Sequence, residues 1–577
     1  MWRYAKDGDD QLIYYGETES TLKRISYYDN GLLKSIDKDD IDGNIEYEYI
    51  GDKYLSSLSF PGYKTYNTLK FEPDNAYNTK QVELNKKLLA SFTYDDVTGQ
   101  LKDTNFANGS KLSKVYKSGR LEEEILSLSN TAEWNKFTYK YDTNNNIKSI
   151  EQNSKNKVNY DYDALNQLTQ ETYDDDDIQM DYTYDEVGNR LSKSVKKAGK
   201  TESTAYQYNE VNRLKYVNNQ LYTYDDDGNL TNDGANTYEW DAYDQLKKVT
   251  NSAGTVIAEY EYDENGRRIH SKDSKGSITY SYDGDTNCVL YEKDKSTYAV
   301  KSYVYDDNGH LLTMIYKGVP YHYITNYRGD VLGLTDESGK LVASYTYDVW
   351  GNILTQSGTD NMDTINPYRY AGYRYDESTK LYYLMARYYN PDTGVFLSLD
   401  PVSGDTMNPL SLNGYNYANN NPVMNVDSTG EYAIPLSYAP LYGLLVVSLI
   451  LQAVKSLDAI MPAIKASFAK VKVKVKPKYK SKTEIHHIVA QTAPLAQAAR
   501  NIIKNVDIKI NDKINLIELK TGLHRRLHTK LYYGAINVLM ESSYSTKKKK
   551  NDNFKSVKAM YNLIKIWLGK FNAWAPF

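Results

Sequence analysis

Read along the first 430 positions, the chain alternates between apolar and polar residues with a period of two, and the alternation is broken at regular intervals by a polar turn. Pairs such as Tyr182 and Tyr184, Tyr222 and Tyr224, and Tyr260 and Tyr262 straddle one polar position and predict β-strands with one buried face. After each second tyrosine comes Asp, a few turn residues that usually include Gly or Asn, and then an aliphatic residue. YDDVTGQL from Tyr94, YDTNNNIKSI from Tyr141, YDALNQL from Tyr162, YDEVGNRL from Tyr184, YDENGRRI from Tyr262 and YDVWGNIL from Tyr347 are copies. Ten intervals separate Tyr141 from Tyr347, a mean spacing of 20.6 residues. Asp, Gly and Asn suit a hairpin turn needing positive φ, so each copy predicts a hairpin, and the series a β-strip with tyrosine rings stacked along one face.

Past residue 430 the period changes. TGLHRRLHTKLYYGAINVL has helical spacing through Leu523, Leu527, Leu531 and Ile536, and FKSVKAMYNLIKIWLGKFNAW reads as an amphipathic packing helix. EIHHIV and IKINDKINLIEL read as strands flanking a helix, APLAQAARNIIKN. Between the two regions, Tyr432–Val454 carries no charge, and LYGLLVVSLILQAV from Leu441 is strongly apolar. Pro435 and Pro440 leave about 14 good residues, short for a membrane span. A linker helix packed against the repeats is the expected role; transient membrane contact through 433–454 is the functional alternative.

Composition sharpens this division. Of 59 tyrosines, 51 precede residue 431. Residues 431–577 hold 25 Lys+Arg against 8 Asp+Glu, a balance of +17, and residues 1–430 hold 45 against 67, a balance of -22. A basic lobe suits a polyanion, though lysine excess also serves solubility. Cys288 is the one cysteine, so no disulfide framework exists, and MWRYAKDGDD opens without an apolar signal region.

Four of the seven histidines, His486, His487, His524 and His528, fall within 43 positions of the basic tail. His524 and His528, at i and i+4, share one helix face, as two metal ligands need. A neutral imidazole can take a proton from water near pH 7, and a divalent cation can polarise a phosphoryl oxygen. Arg525 and Lys530, with Arg526 less well placed, could clamp a phosphate backbone. A structural zinc site is the plain alternative, but such sites usually include cysteine.

These residues carry a resemblance. The repeats resemble the tyrosine-aspartate (YD) repeats of rearrangement-hotspot (RHS) and wall-associated polymorphic toxins. YRYAGYRYDESTKLYYLMARYYNPDTGVFLSLDP and LNGYNYANNNPVMNVDSTG, from Tyr368 to Gly430, resemble the RHS-repeat-associated core. The tail, EIHHIVAQ to HRRLHTKLYY, resembles AHH nucleases of the HNH/endonuclease VII class, with Ile485 in place of the name-giving Ala. The implied fold is a mainly β repeat array, a hollow shell able to enclose a basic guest, followed by a small α+β, ββα-metal domain. The implied divisions are 1–369 (repeats), 370–430 (core), 431–482 (junction) and 483–577 (nuclease). The array looks incomplete, as in a piece of a longer toxin or a displaced cassette.

By the same resemblance His487 is the general base, Asn515 braces its loop, and His486, His524 and His528 hold one divalent ion, with Mg, Mn, Ni and Zn all open. The substrate is nucleic acid, DNA ahead of RNA, and a cognate immunity protein is the expected partner. The expected setting is secreted or cell-surface with delivery into competitor cells; the sequence shows no secretion route. The family also cuts itself after the core, using paired aspartates on P-x-x-x-x-D-P-x-G-L. Pro422, Asp427 and Gly430 match, with Asp400 or Asp405 as second carboxylate, but Ser428 and Glu431 depart from the pattern. The departures count against cutting, and one intact 66.1 kDa species would end that idea. The rivals are a glycan-binding surface adhesin with a non-catalytic tail, and killing by pore formation through the apolar junction.

Overall fold

The computed structural model describes residues 23–436, apart from 30–31, 39–43, 52–53, 75–77, 96–98, 130, 264, 285, 295–298, 307–308, 403 and 405–408. It also describes the strands Arg3–Lys6, Leu12–Gly16, Thr483–His487 and Leu516–Lys520. The chain divides into two units. The larger comprises Ile41–Ile50 and Tyr54–Ser437, and the other comprises Met1–Asp40, Gly51–Lys53 and Tyr438–Phe577.

In the larger unit strands pair antiparallel with their sequence neighbours. Ile178–Tyr184 pairs with Arg190–Lys197, which pairs with Lys200–Tyr208; the last hairpin of the two large sheets joins Leu341–Tyr347 to Ile353–Gly358. One interruption, between Gln220–Leu221 and Thr223–Tyr224, starts a second sheet of 14 strands.

The repeat motif now has a physical account. In the copy at Tyr184, Asp185 Oδ1 accepts the backbone N–H of Val187 (3.1 Å) and of Asn189 (2.8 Å). Its Oδ2 accepts the Asn189 amide at 2.8 Å. The same Asp–Asn reciprocity recurs at Asp142–Asn146, Asp225–Asn229 and Asp348–Asn352. Gly188 sits at φ +79°, a conformation that glycine adopts without steric cost; Asn145, Asn166 and Asn212 take that place in other copies.

The tyrosine is specified by its hydroxyl. Tyr162, Tyr184, Tyr262, Tyr305 and Tyr347 each donate to a backbone carbonyl 15–16 residues back, that of Ile147, Leu168, Leu246, Val289 and Val331 respectively, at 2.7–2.9 Å. Each phenol therefore fastens its repeat to the one before, and satisfies a polar group that phenylalanine would not supply. The tyrosine two positions earlier is buried outright: Tyr182, Tyr260, Tyr303 and Tyr345 are 0–4% exposed. The expected ring stacking is limited, and many rings meet edge-on, as Tyr182 does Trp350 and Tyr303 does Tyr368.

Early strands meet late ones. Asn67 bonds Ser302, Asn108 bonds Thr335, and Ser129 donates to the carbonyl of Ser338, pairs 209–235 residues apart, so the strip folds back on itself. The segment from Asn366 to Gly430 fills the interior, with Tyr370, Tyr382, Tyr389 and Tyr417 fully buried. Its asparagines hold the repeat turns from inside. Asn413 donates to Asn189 Oδ1, Asn420 to the carbonyl of Gly188, and Asn421 to that of Asn166. Arg268, packed against four tyrosine rings, pairs with Asp376 and ties the same segment to the second sheet.

In the other unit, Arg3–Lys6, Leu12–Gly16, Lys23–Tyr27 and Leu33–Lys38 form an antiparallel succession. Thr483–His487 pairs antiparallel with Leu516–Lys520. Among the described residues no helix is long and apolar enough to cross a membrane; the apolar stretch of the junction lies outside them.

Candidate functional site

At the end of the core segment two carboxylates meet on one buried guanidinium. Arg387 Nη2 lies 2.8 Å from Asp400 Oδ2 and 3.3 Å from Asp427 Oδ2. Its Nη1 donates to the Gly414 carbonyl at 2.9 Å, and its Nε donates to the carbonyl of Gly430. The Phe396 ring underlies the guanidinium, 3.6 Å from centroid to Cζ. Asp427 Oδ1 accepts the N–H of Glu431 at 3.0 Å and of Tyr432 at 3.1 Å. The Gly430–Glu431 peptide is thus held at both ends, its oxygen by a cation and its nitrogen by a carboxylate. Gly430 is required there: φ is +72°, and a Cβ would lie 2.4 Å from the Leu384 carbonyl oxygen.

The electrostatics divide the pair. Burial pushes the Asp400 carboxyl up to about 7, against the pull of Arg387 in the other direction. Burial in turn lowers Arg387, opposed by Asp400 and Asp427. Asp400 is therefore divided between its acid and ionised forms near neutrality, beside a second carboxylate, an arrangement suited to acid–base work on a bound peptide. Asp405 lies outside the described residues. Arg387 belongs to no motif that singles it out in the sequence, although it is the single arginine between Arg374 and Arg500, set among aspartates.

For the tail, the expected strands exist. His486 and His487 end the strand Thr483–His487, with Cα partners Ile517 and Leu516. The sequence position of Asn515 directly precedes Leu516, where the second strand begins. Asn515, His524, His528, Arg525, Arg526 and Lys530 lie outside the described residues, and so does the packing helix. Among the described residues there is no cluster of three or more metal-ligating side chains. A donor set of imidazoles is chemically suited to a borderline divalent ion.

Comparison with known proteins supports both regions. Residues 28–423 match the family model described as the teneurin YD-shell. Residues 468–566 match a nuclease family of the HNH/ENDO VII superfamily with conserved AHH. The chain is 48% identical over 273 residues to the tRNA3(Ser)-specific nuclease WapA of Bacillus spizizenii, covering 47% of this chain and 12% of that protein. It is 46% identical over the same length to the tRNA nuclease WapA of Bacillus subtilis, again 12% of the relative, so the chain spans about an eighth of these proteins. Human teneurin-1 is 29% identical over 293 residues, 49% of this chain and 10% of the relative. The crystal structure of TcdB2-TccC3-Cdc42 shares the fold, with TM-score 0.61 and 18% identity over 74% of this chain and 25% of that one. By the match over residues 28–423, the chain belongs to the teneurin YD-shell family, and its tail carries an AHH nuclease domain.

Proposed function

We propose that this chain is the shell and warhead of a polymorphic toxin: the repeats carry a metal-dependent endonuclease that hydrolyses phosphodiester bonds in competitor cells. The observation that carries the reading is the antiparallel pair placing His486 and His487 at a strand end opposite Ile517 and Leu516, inside the stretch that matches the AHH nucleases. In this reading His487 takes the proton from the attacking water, with Asn515 bracing its loop. His486, His524 and His528 would hold the divalent ion, which when bound supplies charge stabilisation to the phosphoryl and leaving oxygens. Arg525, Lys530 and Arg526 would grip flanking phosphates, making affinity fall as salt rises.

Relatives named as tRNA nucleases bring transfer RNA forward as a substrate alongside DNA. The test is digestion of plasmid DNA and of tRNA by the purified chain, with and without EDTA. Cleavage that EDTA and His487→Ala both abolish supports the reading; cleavage retained by His487→Ala refutes the base assignment. The toxin reading implies a cognate immunity protein and a secreted or cell-surface setting, and the +17 tail calls for an acidic surface on that partner.

Self-processing at Gly430–Glu431 belongs to the same proposal, despite Ser428 and Glu431. Water adds to the Gly430 carbonyl carbon while Arg387 steadies the developing oxyanion. An ionised carboxylate accepts the water proton, a protonated one delivers a proton to the Glu431 nitrogen, and the C–N bond breaks. Intact-mass analysis decides it, through fragments of 1–430 and 431–577. The adhesin alternative loses its main support, since the ring-bearing face is buried, as at Tyr182, Tyr206, Tyr238 and Tyr260.

A further inference from the structure

Where early strands meet late ones, the strip buries an ionisable ring. His322 lies on the strand Val319–Thr325, between Thr313 and Thr335 as Cα partners on the two neighbouring strands. The neighbour Leu311–Tyr316 is buried at five successive positions, so this part of the sheet is covered on both faces. One cover is the tyrosine cluster that includes Tyr303, Tyr323 and Tyr345. The other comes from strands far earlier in the chain. The Phe106 ring tilts over the imidazole, 4.7 Å between centroids. Beside it, Asn108 Nδ2 donates to Thr335 Oγ1 at 3.0 Å and to the Asp336 carbonyl at 2.7 Å, and Ser110 Oγ donates to Thr335 Oγ1 at 3.5 Å. His322 is 3% exposed and Phe106 4%.

The groups that meet at this seam are neutral. The imidazole Nδ1 shares a hydrogen bond with Thr313 Oγ1 at 2.9 Å. Tyr321 and Tyr323, beside His322 on its own strand, alternate to the opposite face, and so does Tyr316 on the preceding strand. The Asp336 carboxylate, at the end of the following strand, accepts the N–H of Ser338 at 2.9 Å and of Lys340 at 3.0 Å. On the early side, Asp103 pairs with Lys111 at 3.0 Å and Glu124 with Lys114 at 3.8 Å. Among the described residues no charged side chain acts on the ring, and burial alone lowers it, to about 4. A proton on this ring would put a charge into the seam with no counter-charge to meet it.

We propose that the fold-back seam is an acid-operated latch: the strip stays closed on itself while His322 is neutral, and the strands lining the seam loosen first when the ring takes a proton. The sign follows from the direction of the shift. A histidine lowered by folding contributes its full stabilisation above its ordinary value of 6.5 and loses it as pH falls towards 4. Opening returns the ring to water, so the open fraction of the seam should rise about twentyfold between pH 7 and pH 5.

Hydrogen exchange of the whole chain at the two pH values, each corrected for the intrinsic amide rate, tests this. Protection in Leu101–Phe106, Leu311–Tyr316 and Val319–Thr325 should fall about twentyfold on acidification. Protection in Ile178–Tyr184 and Arg190–Lys197, away from the seam, should hold. His322→Asn keeps a partner for Thr313 and cannot ionise, so it should remove the pH dependence at the seam, even where it lowers protection at both pH values. Seam protection equal at pH 7 and pH 5, an equal loss in His322→Asn, or an equal loss in both sets of strands would overturn the proposal. The comparison between the two sets of strands in the unaltered chain stands whether or not the variant folds.

Discussion

The hydroxyl of the repeat tyrosine offers a test that leaves each ring in place. Tyr184→Phe removes the donor that meets the Leu168 carbonyl at 2.7 Å, and Tyr347→Phe the one that meets Val331 at 2.8 Å. Each loses one buried hydrogen bond and leaves a carbonyl with one acceptor site unfilled, a cost of about 1–2 kcal/mol. Tyr262→Phe does the same at Leu246, though its hydroxyl also meets that of Tyr388 at 2.9 Å. The three sites lie in separate repeats, so the triple variant should lose roughly 3–6 kcal/mol. Tyr243 also precedes an Asp, but it lies in the turn after Trp240, whose indole N–H donates to the Leu230 carbonyl in the hydroxyl's place. Tyr243 is 79% exposed, so Tyr243→Phe should change stability by less than about 0.5 kcal/mol. Urea unfolding followed by tryptophan fluorescence reads these differences as shifts in midpoint at constant slope. If Tyr184→Phe and Tyr243→Phe shift the midpoint equally, the hydroxyl ladder does not hold the repeats together.

Three further outcomes follow from the charged groups. Asp400 is raised to about 7, so its acid form is present below that pH and is lost above it; self-processing should slow about tenfold per pH unit above 7, measured as first-order appearance of the 1–430 fragment. Arg387→Lys keeps the charge but cannot span Asp400, Asp427 and the Gly430 carbonyl together, so processing should fall by about a hundredfold or more while the fold persists by circular dichroism. Burial alone would raise Glu292, but Arg374 at 2.7 Å and Lys301 at 3.2 Å prevail and hold it at about 2. Its depressed value means that its contribution is full above about 4.5 and is lost as pH falls through 2. Glu292→Gln strands Arg374 and should cost about 3–5 kcal/mol at pH 7, read in the same urea titration.

Much of the repeat architecture was legible because its determinants are local. Asp185, Gly188 and Asn189 complete a turn within five residues, and the period of 20.6 shows that the turn recurs. The role of the hydroxyl was not legible, since Leu168 and Tyr184 are joined across two strands and the bond carries no periodic signature of its own. Nor was Arg387, whose partners lie 13 and 40 residues away and meet it only when the core segment closes on itself. His322 resembled any other polar position in a strand until the early strands covered it. In the tail, the strands at His486–His487 and Leu516 were readable from apolar alternation and turn residues alone.

The most direct test of the nuclease assignment is a crystal structure of the whole chain grown with manganese or zinc, with anomalous data at the metal edge. The expected result is one peak bound by the imidazoles of His486, His524 and His528 at about 2.0–2.3 Å, with His487 facing the open side. A peak elsewhere, or the helix-borne histidines too far from His486 to share one ion, would contradict it.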